Sequence, residues 1–394
     1  MRELLCEMWK RYYGPCDGTV IAFAPGRVNL LGEHTDCYGG YVLPCAIDLG
    51  TWAMGRLRND SSVRLRSDNF PHADPVTFDI SDLSNLAYHG WANYPKSVMW
   101  AMKQRGLPLD KGFDMVFFGT IPRNSGLSSS ASIEMATAAV ISELCGLNLM
   151  ADDSSKITMA QICKEAENRF IGVQSGIMDQ FAIALGGEDK GVFLNCSTLE
   201  HRAVPLSMDD HVLLILDSGK KRELSSSQYN LRREETEEAF KAIKAAGVKV
   251  SNLADLSPEG YYVVEKSIPD PLLQRRARHV IWENRRAKEG AAALEAGDLA
   301  RFGKLMNRSH LSLQFDYEVT CRELDCLVSY CWQHKGCLGA RMTGAGFGGS
   351  VLALVEKEAV SPLVEDVSGW YEKHTGLKVS VLETVAGDGV SIKK

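Results

Sequence analysis

Apolar and polar positions repeat along this chain with two different periods. Short β-branched and aromatic runs at 19–23, 41–49, 63–65, 115–118, 192–195, 212–216 and 350–355 predict strands. The first run stops at Pro25-Gly26, a turn signal. Helical spacing of apolar residues predicts helices at 91–104, 130–145, 157–170, 227–246 and 271–296, the third broken by Gly172. Residues 1–13 mix charges with Leu4, Leu5, Met8 and Trp9 and predict a short amphipathic helix. The stretch 68–89, rich in Asp, Asn, Ser and Pro, predicts a loop holding one short strand. A glycine-rich segment at 344–349 falls between a Cys-containing helix and the strand at 350–355. Strands and helices mix without regular alternation, so the class is α+β. Polar and proline residues interrupt the pattern at 199–207, which suggests two domains, 1–203 and 204–394.

Composition narrows the partners. The 394 residues are enough for two domains with separate cores. The net charge is −6 and no dense Lys/Arg block exists, which argues against nucleic acid or an anionic membrane as the main partner. No apolar run approaches the roughly 20 residues that span a bilayer, and no secretory leader is recognisable. The 11 cysteines are odd in number and scattered, as expected of reduced thiols in a cytoplasmic protein. Cys321, Cys326, Cys331 and Cys337 lack the paired spacing of a zinc site and read as small core residues.

The candidate chemistry sits in three glycine-bearing segments. Pro25 to Asp36 carries Arg27, Glu33, His34 and Asp36. Pro122 to Ser132 carries Gly126-Leu127-Ser128-Ser129-Ser130-Ala131. Thr343 to Gly349 carries four glycines and other small residues around Phe347. In the second segment a strand runs through a small-residue loop into a helix. Such a loop lets backbone approach a ligand, and the new helix offers unpaired N–H groups to phosphate. The same hydroxyls would equally serve as helix caps. No G-x-x-x-x-G-K-[ST] is present, and the protein-kinase H-R-D and D-F-G pair is absent, so phosphate would need another scaffold.

Together the three segments resemble the three signatures of the GHMP sugar and small-alcohol kinases, and the first resembles the galactokinase signature. Gly176-Ile177-Met178-Asp179-Gln180 also matches a galactokinase motif, as do Lys164-Glu165-Ala166-Glu167-Asn168 and Lys220-Lys221-Arg222-Glu223-Leu224 through Tyr229. The stretch from Ser309 to Asp325 is similar too. The resemblance implies a ribosomal-S5-like N-terminal domain, a GHMP C-terminal domain and an active site in the cleft between them. It implies ATP-dependent phosphorylation of galactose at the anomeric hydroxyl. Asp179 would act as base or positioner with Arg27 beside it. Glu33, His34, Asp36, Gly176 and Tyr229 would form the sugar site. Gly126, Leu127, Ser128, Ser129, Ser130 and Ala131 would hold the nucleotide phosphates, and Trp91 would line the adenine pocket. Ser130 and Glu167 would bind Mg²⁺.

Four places depart from the family pattern: Cys37-Tyr38-Gly39, Ser175, Asp217-Ser218-Gly219 and Ser350. They lie near the expected sugar and phosphate surfaces and bear on which sugar is used. A kinase for a related sugar, such as N-acetylgalactosamine or galacturonate, is the nearest alternative. A sugar and ATP sensor without turnover is another, although Arg27, Ser130, Glu167 and Asp179 are all present.

Overall fold

The computed structural model describes residues 1–220 and 225–393. Lys221, Arg222, Glu223 and Leu224, from the stretch preceding Tyr229, lie outside the described residues.

One mixed sheet gathers six strands. Its central pair is Val20–Asn29 (β1) and Pro44–Leu57 (β3). Phe113–Gly119 (β6) follows β3, then Ser62–Ser67 (β4) and Val76–Asp79 (β5). Ser391–Lys393 (β13) closes the other edge by pairing with β1, so the chain's last strand returns to its first. A second sheet orders Cys337–Thr343 (β10), Ser350–Glu356 (β11), His211–Asp217 (β9) and Ser380–Thr384 (β12). Tyr41–Val42 (β2), Lys190–Asn195 (β7) and His201–Pro205 (β8) make a small third sheet.

Helices cover these sheets. Asn93–Gln104 (α2), Ser129–Cys145 (α3) and Asp153–Glu165 (α4) pack on the first sheet around Val98, Phe113, Met115, Met135 and Val140, all fully buried. Arg2–Tyr13 (α1) docks on that sheet through Leu5, Met8 and Trp9. Met178–Leu185 (α5) follows a π-helical turn, Ala166–Ile171, that continues α4. The later half contributes Ser225–Ala245 (α6), Pro258–Val264 (α7), Pro271–Glu295 (α8), Leu299–Ser312 (α9), Arg322–Gln333 (α10) and Lys357–Thr375 (α11). A shared apolar cluster joins the halves, with Val28, Leu30 and Leu31 against Ile215, Phe302, Leu352 and Leu354.

Three elements differ from the sequence expectation. β1 does not stop at Pro25-Gly26 but runs on to Asn29 through a register shift between Pro25 and Arg27. A bulge absorbs the proline, which has no N–H for the ladder. The segment 344–349 joins two strands, because β10 intervenes after the Cys-containing helix α10. Its Gly339-Ala340-Arg341 core hides the strand pattern. Gly90-Trp91 precedes α2 in a 3₁₀ turn, with Gly90 at φ 51° breaking the helical run.

Gly26 shows why the bulge carries no side chain. A Cβ there would lie 2.6 Å from the Leu127 carbonyl oxygen and 2.9 Å from Ile121 Cδ1. The same carbonyl accepts the Arg27 N–H at 3.2 Å. Gly26→Ala should therefore push the serine loop away and destabilise the fold by about 1–3 kcal/mol. Urea unfolding measures this; a variant within about 0.5 kcal/mol of the parent would show that the approach is not tight.

Candidate functional site

Four stretches of chain line one cavity of about 290 Å³ where the two halves meet. The first follows β1. Gly32 at φ 96° and His34 at φ 59° are left-handed, and this turns Glu33, His34 and Asp36 inward. Non-glycine residues seldom adopt this conformation, so surrounding structure must hold His34 there.

That structure comes from the second half. Glu283 of α8, fully buried, accepts the N–H of Gly32 at 2.9 Å and of Glu33 at 3.3 Å on Oε1. The Ser309 hydroxyl donates to the same oxygen at 2.7 Å, and Arg286 Nε donates to Oε2 at 2.6 Å. Burial opposes the Glu283 charge, but Arg286, Arg341 and His279 outweigh it and hold the carboxyl well below its ordinary range. Arg341 of β10 donates to the Asn29 and Leu30 carbonyls, both at 3.1 Å, and to Glu33 Oε2 at 2.7 Å. Burial pushes the Glu33 carboxyl upward while Arg341 and Arg27 pull it back.

The second stretch is the serine loop. Ser128 starts α3 in a left-handed conformation, φ 60°, and caps nothing with its side chain. Its hydroxyl donates instead to Asp179 Oδ2. Helix capping is thus not what Ser128 does. The first-turn N–H groups of α3 have no intrahelical partner and face this loop. Gly126, Ser128, Ser129 and Ser130 line the cavity. Leu127 and Ala131 instead bury their side chains in the apolar cores.

The third stretch brings Asp179, Gly176 and Glu167. Arg27 Nε donates to Asp179 Oδ1 at 2.8 Å and Nη2 donates to Oδ2 at 2.9 Å, a two-pronged pair. Arg27 Nη1 also donates to the Gly126 carbonyl at 2.8 Å, tying the pair to the serine loop. Gly176 sits against Asp36, with no space for a Cβ. Burial, reinforced by Asp179, pushes the Asp36 carboxyl up. Glu167 lies on the π turn, a geometry that re-aims one side chain out of helical register. It accepts Ser130 Oγ at 3.1 Å, Ser175 Oγ at 2.7 Å and Gln180 Nε2 at 3.1 Å. Burial raises its pKa.

Tyr229, Gly344 and Ala345 close the cavity from the second half. The His34 ring lies between Tyr229, at 5.4 Å, and Tyr317, at 4.9 Å. Its Nε2 is buried without a partner, which suits a ligand hydroxyl. A second cavity of about 200 Å³ adjoins the first through Tyr94, Ser129 and Ser130. Trp91, Phe70 and Phe117 wall it, with the Trp91 and Phe70 rings stacked at 6.5 Å.

The geometry is a polar chamber and an aromatic slot joined at the start of a helix. Comparisons with known proteins give that arrangement a family. Three family models match: the GHMP kinases N terminal domain over 93–187, the galactokinase galactose-binding signature over 9–57 and the GHMP kinases C terminal over 291–373. The Fusobacterium nucleatum galactokinase is 44% identical over 99% of this chain and 99% of its own. The chain belongs to the galactokinase family. The galactokinase of Bacillus subtilis is 41% identical over 99% of this chain and 98% of its own. A solved structure of Lactococcus lactis galactokinase complexed with galactose superposes with a TM-score of 0.95, at 40% identity and 99% coverage of each chain. A mevalonate kinase, at 20% identity and a TM-score of 0.64, covers 93% of this chain and 98% of its own and shares the fold.

In this galactokinase-family chain, the cavities collect the sequence candidates Arg27, Glu33, His34, Asp36, Trp91, Gly126, Ser128, Ser129, Ser130, Glu167, Gly176, Asp179 and Tyr229. Sequence reasoning missed Tyr94, Glu283, His279, Tyr317 and Arg341. The available signal was a charge inside an apolar frame, as in Val280-Ile281-Trp282-Glu283 and Gly339-Ala340-Arg341-Met342.

Two buried imidazoles make acid sensitivity predictable. Burial moves His34 from 6.5 down to about 3 and His279 down to about 4. Both folded values lie below the unfolded one. Their stability contribution is therefore complete above pH 6.5 and is lost as pH falls toward 4, where only the unfolded chain takes up the protons. Each should cost about 1 kcal/mol between pH 7.5 and 5.5. Urea unfolding at both values should show a smaller pH difference for His279→Asn than for the parent. An identical difference would mean that His279 titrates normally.

Proposed function

We propose that this chain transfers the γ-phosphoryl group of ATP to the anomeric hydroxyl of galactose, giving galactose 1-phosphate and ADP. The observation that carries the reading is the Arg27–Asp179–Ser128 cluster, which stands where the polar chamber meets the serine loop. The chamber takes the sugar. Glu33, His34, Asp36 and Tyr229 offer fixed donors and acceptors to its hydroxyls, and Gly176, lacking a Cβ, lets the Asp36 carboxylate pack against it. The serine loop and the start of α3 take the phosphates. The aromatic slot at Trp91 takes the adenine ring.

Asp179 carries the transfer chemistry of this chain. Arg27 contributes two hydrogen bonds and Ser128 one, filling three of its roughly four acceptor positions. The remaining position accepts the sugar hydroxyl and aims its oxygen at the phosphorus. Phosphoryl transfer passes through a loose transition state, so aim and charge compensation contribute more than proton removal. Arg27 supplies the positive charge beside the transferring group.

Ser130 and Glu167 fit a Mg²⁺ ion. They pair an all-oxygen donor set on the chamber wall, and an ion that keeps several waters needs no more protein ligands. Among the described residues, no group of three or more His, Cys, Asp and Glu is placed to hold a metal. Bound there, Mg²⁺ would supply charge neutralisation for the phosphate oxygens. A cytoplasmic location accompanies this reading, supported by eleven unpaired thiols.

ADP release measured with Mg²⁺ over galactose, glucose, N-acetylgalactosamine and galacturonate tests the proposal, with ³¹P NMR locating the product phosphate. Galactose should give the highest kcat/KM, because buried polar groups matched to one hydroxyl array reject another. A higher value for any other sugar would move the chain to a related sugar kinase, and sugar-independent ADP release would make it an ATPase.

Asp179→Asn removes charge at nearly constant shape. The expected loss is about 10²–10⁴-fold in kcat, or ~3–5 kcal/mol, with galactose binding by calorimetry changed much less. Retention of more than about a tenth of the parental kcat would give Asp179 a structural role only.

A further inference from the structure

We propose that a third cavity, walled by Trp282, Arg285, Arg286, Glu289, Leu305 and Arg308, binds a small phosphomonoester, and that its occupancy weakens sugar binding through Arg286 and Glu283. The cavity measures about 260 Å³ and lies between α8 and α9, away from the sugar chamber and the aromatic slot. Three of its six lining residues are arginines. Its one acid, Glu289, already accepts Arg285 Nε at 2.7 Å. The Arg308 side chain makes no hydrogen bond or ion pair among the described residues.

Arg286 is the group that points to a ligand. It is only 9% exposed, its Nε is bound to Glu283, and its Nη2 is buried with no partner. A buried donor left unmade is costly; this one has no open surface, so an anion in the cavity would reach it only as the Arg286 side chain shifts toward the ligand, a shift that the unmade bond favours. A second observation supports the charge. Arg301, Lys304 and Arg308 are spaced three and four apart on α9 and so share one exposed face, with the buried Leu305 at its edge. The side chains of Arg301 and Lys304 are also unpaired among the described residues. In a chain of net charge −6, folding assembles this basic patch from two helices. Guanidinium forks match phosphate oxygens in pairs. Trp282, packed edge-on against Tyr262 at 5.3 Å, offers a flat wall to the organic part of an ester. The recessed shape favours a small molecule over a polymer or a bilayer.

Coupling follows from the bonds of Glu283. Its Oε2 accepts Arg286 at 2.6 Å, and its Oε1 holds the Gly32 and Glu33 N–H groups at 2.9 and 3.3 Å. An anion drawing on Arg286 competes with Glu283 and loosens the frame that sets Glu33 and His34. Neither Asp179 nor the serine loop touches Glu283. Occupancy should therefore raise the galactose KM about fivefold and leave kcat nearly unchanged. The coupling rests on the sugar-site reading above; the binding does not.

Calorimetry of glycerol 3-phosphate and inorganic phosphate tests the site. AMP-PNP and Mg²⁺ are kept saturating so that the serine loop is filled, and no sugar is present. The parent should bind glycerol 3-phosphate, and Arg308→Glu should weaken it at least tenfold with unchanged basal kcat and KM. Inorganic phosphate binding as tightly as the ester would identify free phosphate as the ligand and remove the role given to Trp282. Equal ester binding by Arg308→Glu, or no binding by the folded parent, would overturn the site. So would binding of a DNA oligonucleotide or phosphatidylglycerol vesicles without binding of the ester. Saturating galactose should lower ester affinity by the same factor that the ester lowers galactose affinity. Ester binding that leaves galactose affinity unmoved would overturn the coupling alone.

Discussion

One buried carboxylate holds the sugar-facing loop in place. Glu283 touches neither cavity of the proposed active site, yet it ties Gly32 and Glu33 through their backbone, Ser309 through its hydroxyl and Arg286 through its guanidinium. Removing one partner from such a buried set typically costs about 3–5 kcal/mol, because the others keep their desolvation penalty. Arg341 completes the frame by binding the carbonyls just upstream and the Glu33 side chain. The left-handed His34 follows directly after these two anchors. Its strain is sustained because the backbone just before it is fixed by the opposite half of the chain, which also holds the Tyr41 N–H downstream through Asn284 Oδ1 at 2.7 Å.

The three glycine segments are one structure in space. Gly26 lies under the Leu127 carbonyl, and a Cβ on Gly344 would come within 2.7 Å of the Gly126 carbonyl. Ser350 closes the stack by donating to the Ser125 carbonyl at 2.8 Å. Small residues are needed because backbone packs directly on backbone. The serine loop is thus clamped from both sides, and the start of α3 is held ready for an anion before any ligand arrives. Arg27 then joins this clamp to Asp179, so the polar chamber and the serine loop share one rigid junction.

Much of this was legible because the signals were local. Gly126 with Ser128, Ser129 and Ser130, or Glu33 with His34 and Asp36, are unusual strings whatever the fold. What sequence could not supply was the partner of each string. Arg341 looks like an interruption of a strand and Glu283 like an ordinary helix charge until the fold sets them against residues about 250 to 310 positions away. β1 was cut short because a proline usually ends a strand, and only the register shift at Gly26 lets it continue. β10 went unread because its buried stretch begins with Gly339, Ala340 and Arg341 rather than branched apolar residues. Leu127 and Ala131 carry the motif's spelling but serve as core, Leu127 in the cluster shared by the two halves and Ala131 in the one under the first sheet.

Ser128 shows what the junction demands of the chain. A serine starting a helix ordinarily accepts a backbone N–H, worth about 1 kcal/mol. Here it gives up that bond, takes a left-handed conformation and donates to Asp179. Both choices cost local stability. They also leave the first-turn N–H groups of α3 without a side-chain cap and fix the second oxygen of Asp179. A serine serving its own helix would lose both effects. The same reasoning ranks the roles of Asp179. A general base needs freedom to take and release a proton, whereas this carboxylate is gripped by Arg27 on two sides and by Ser128 on a third. Its geometry is that of a fixed acceptor, which in the proposed reaction would hold one sugar oxygen in line while charge is balanced around it.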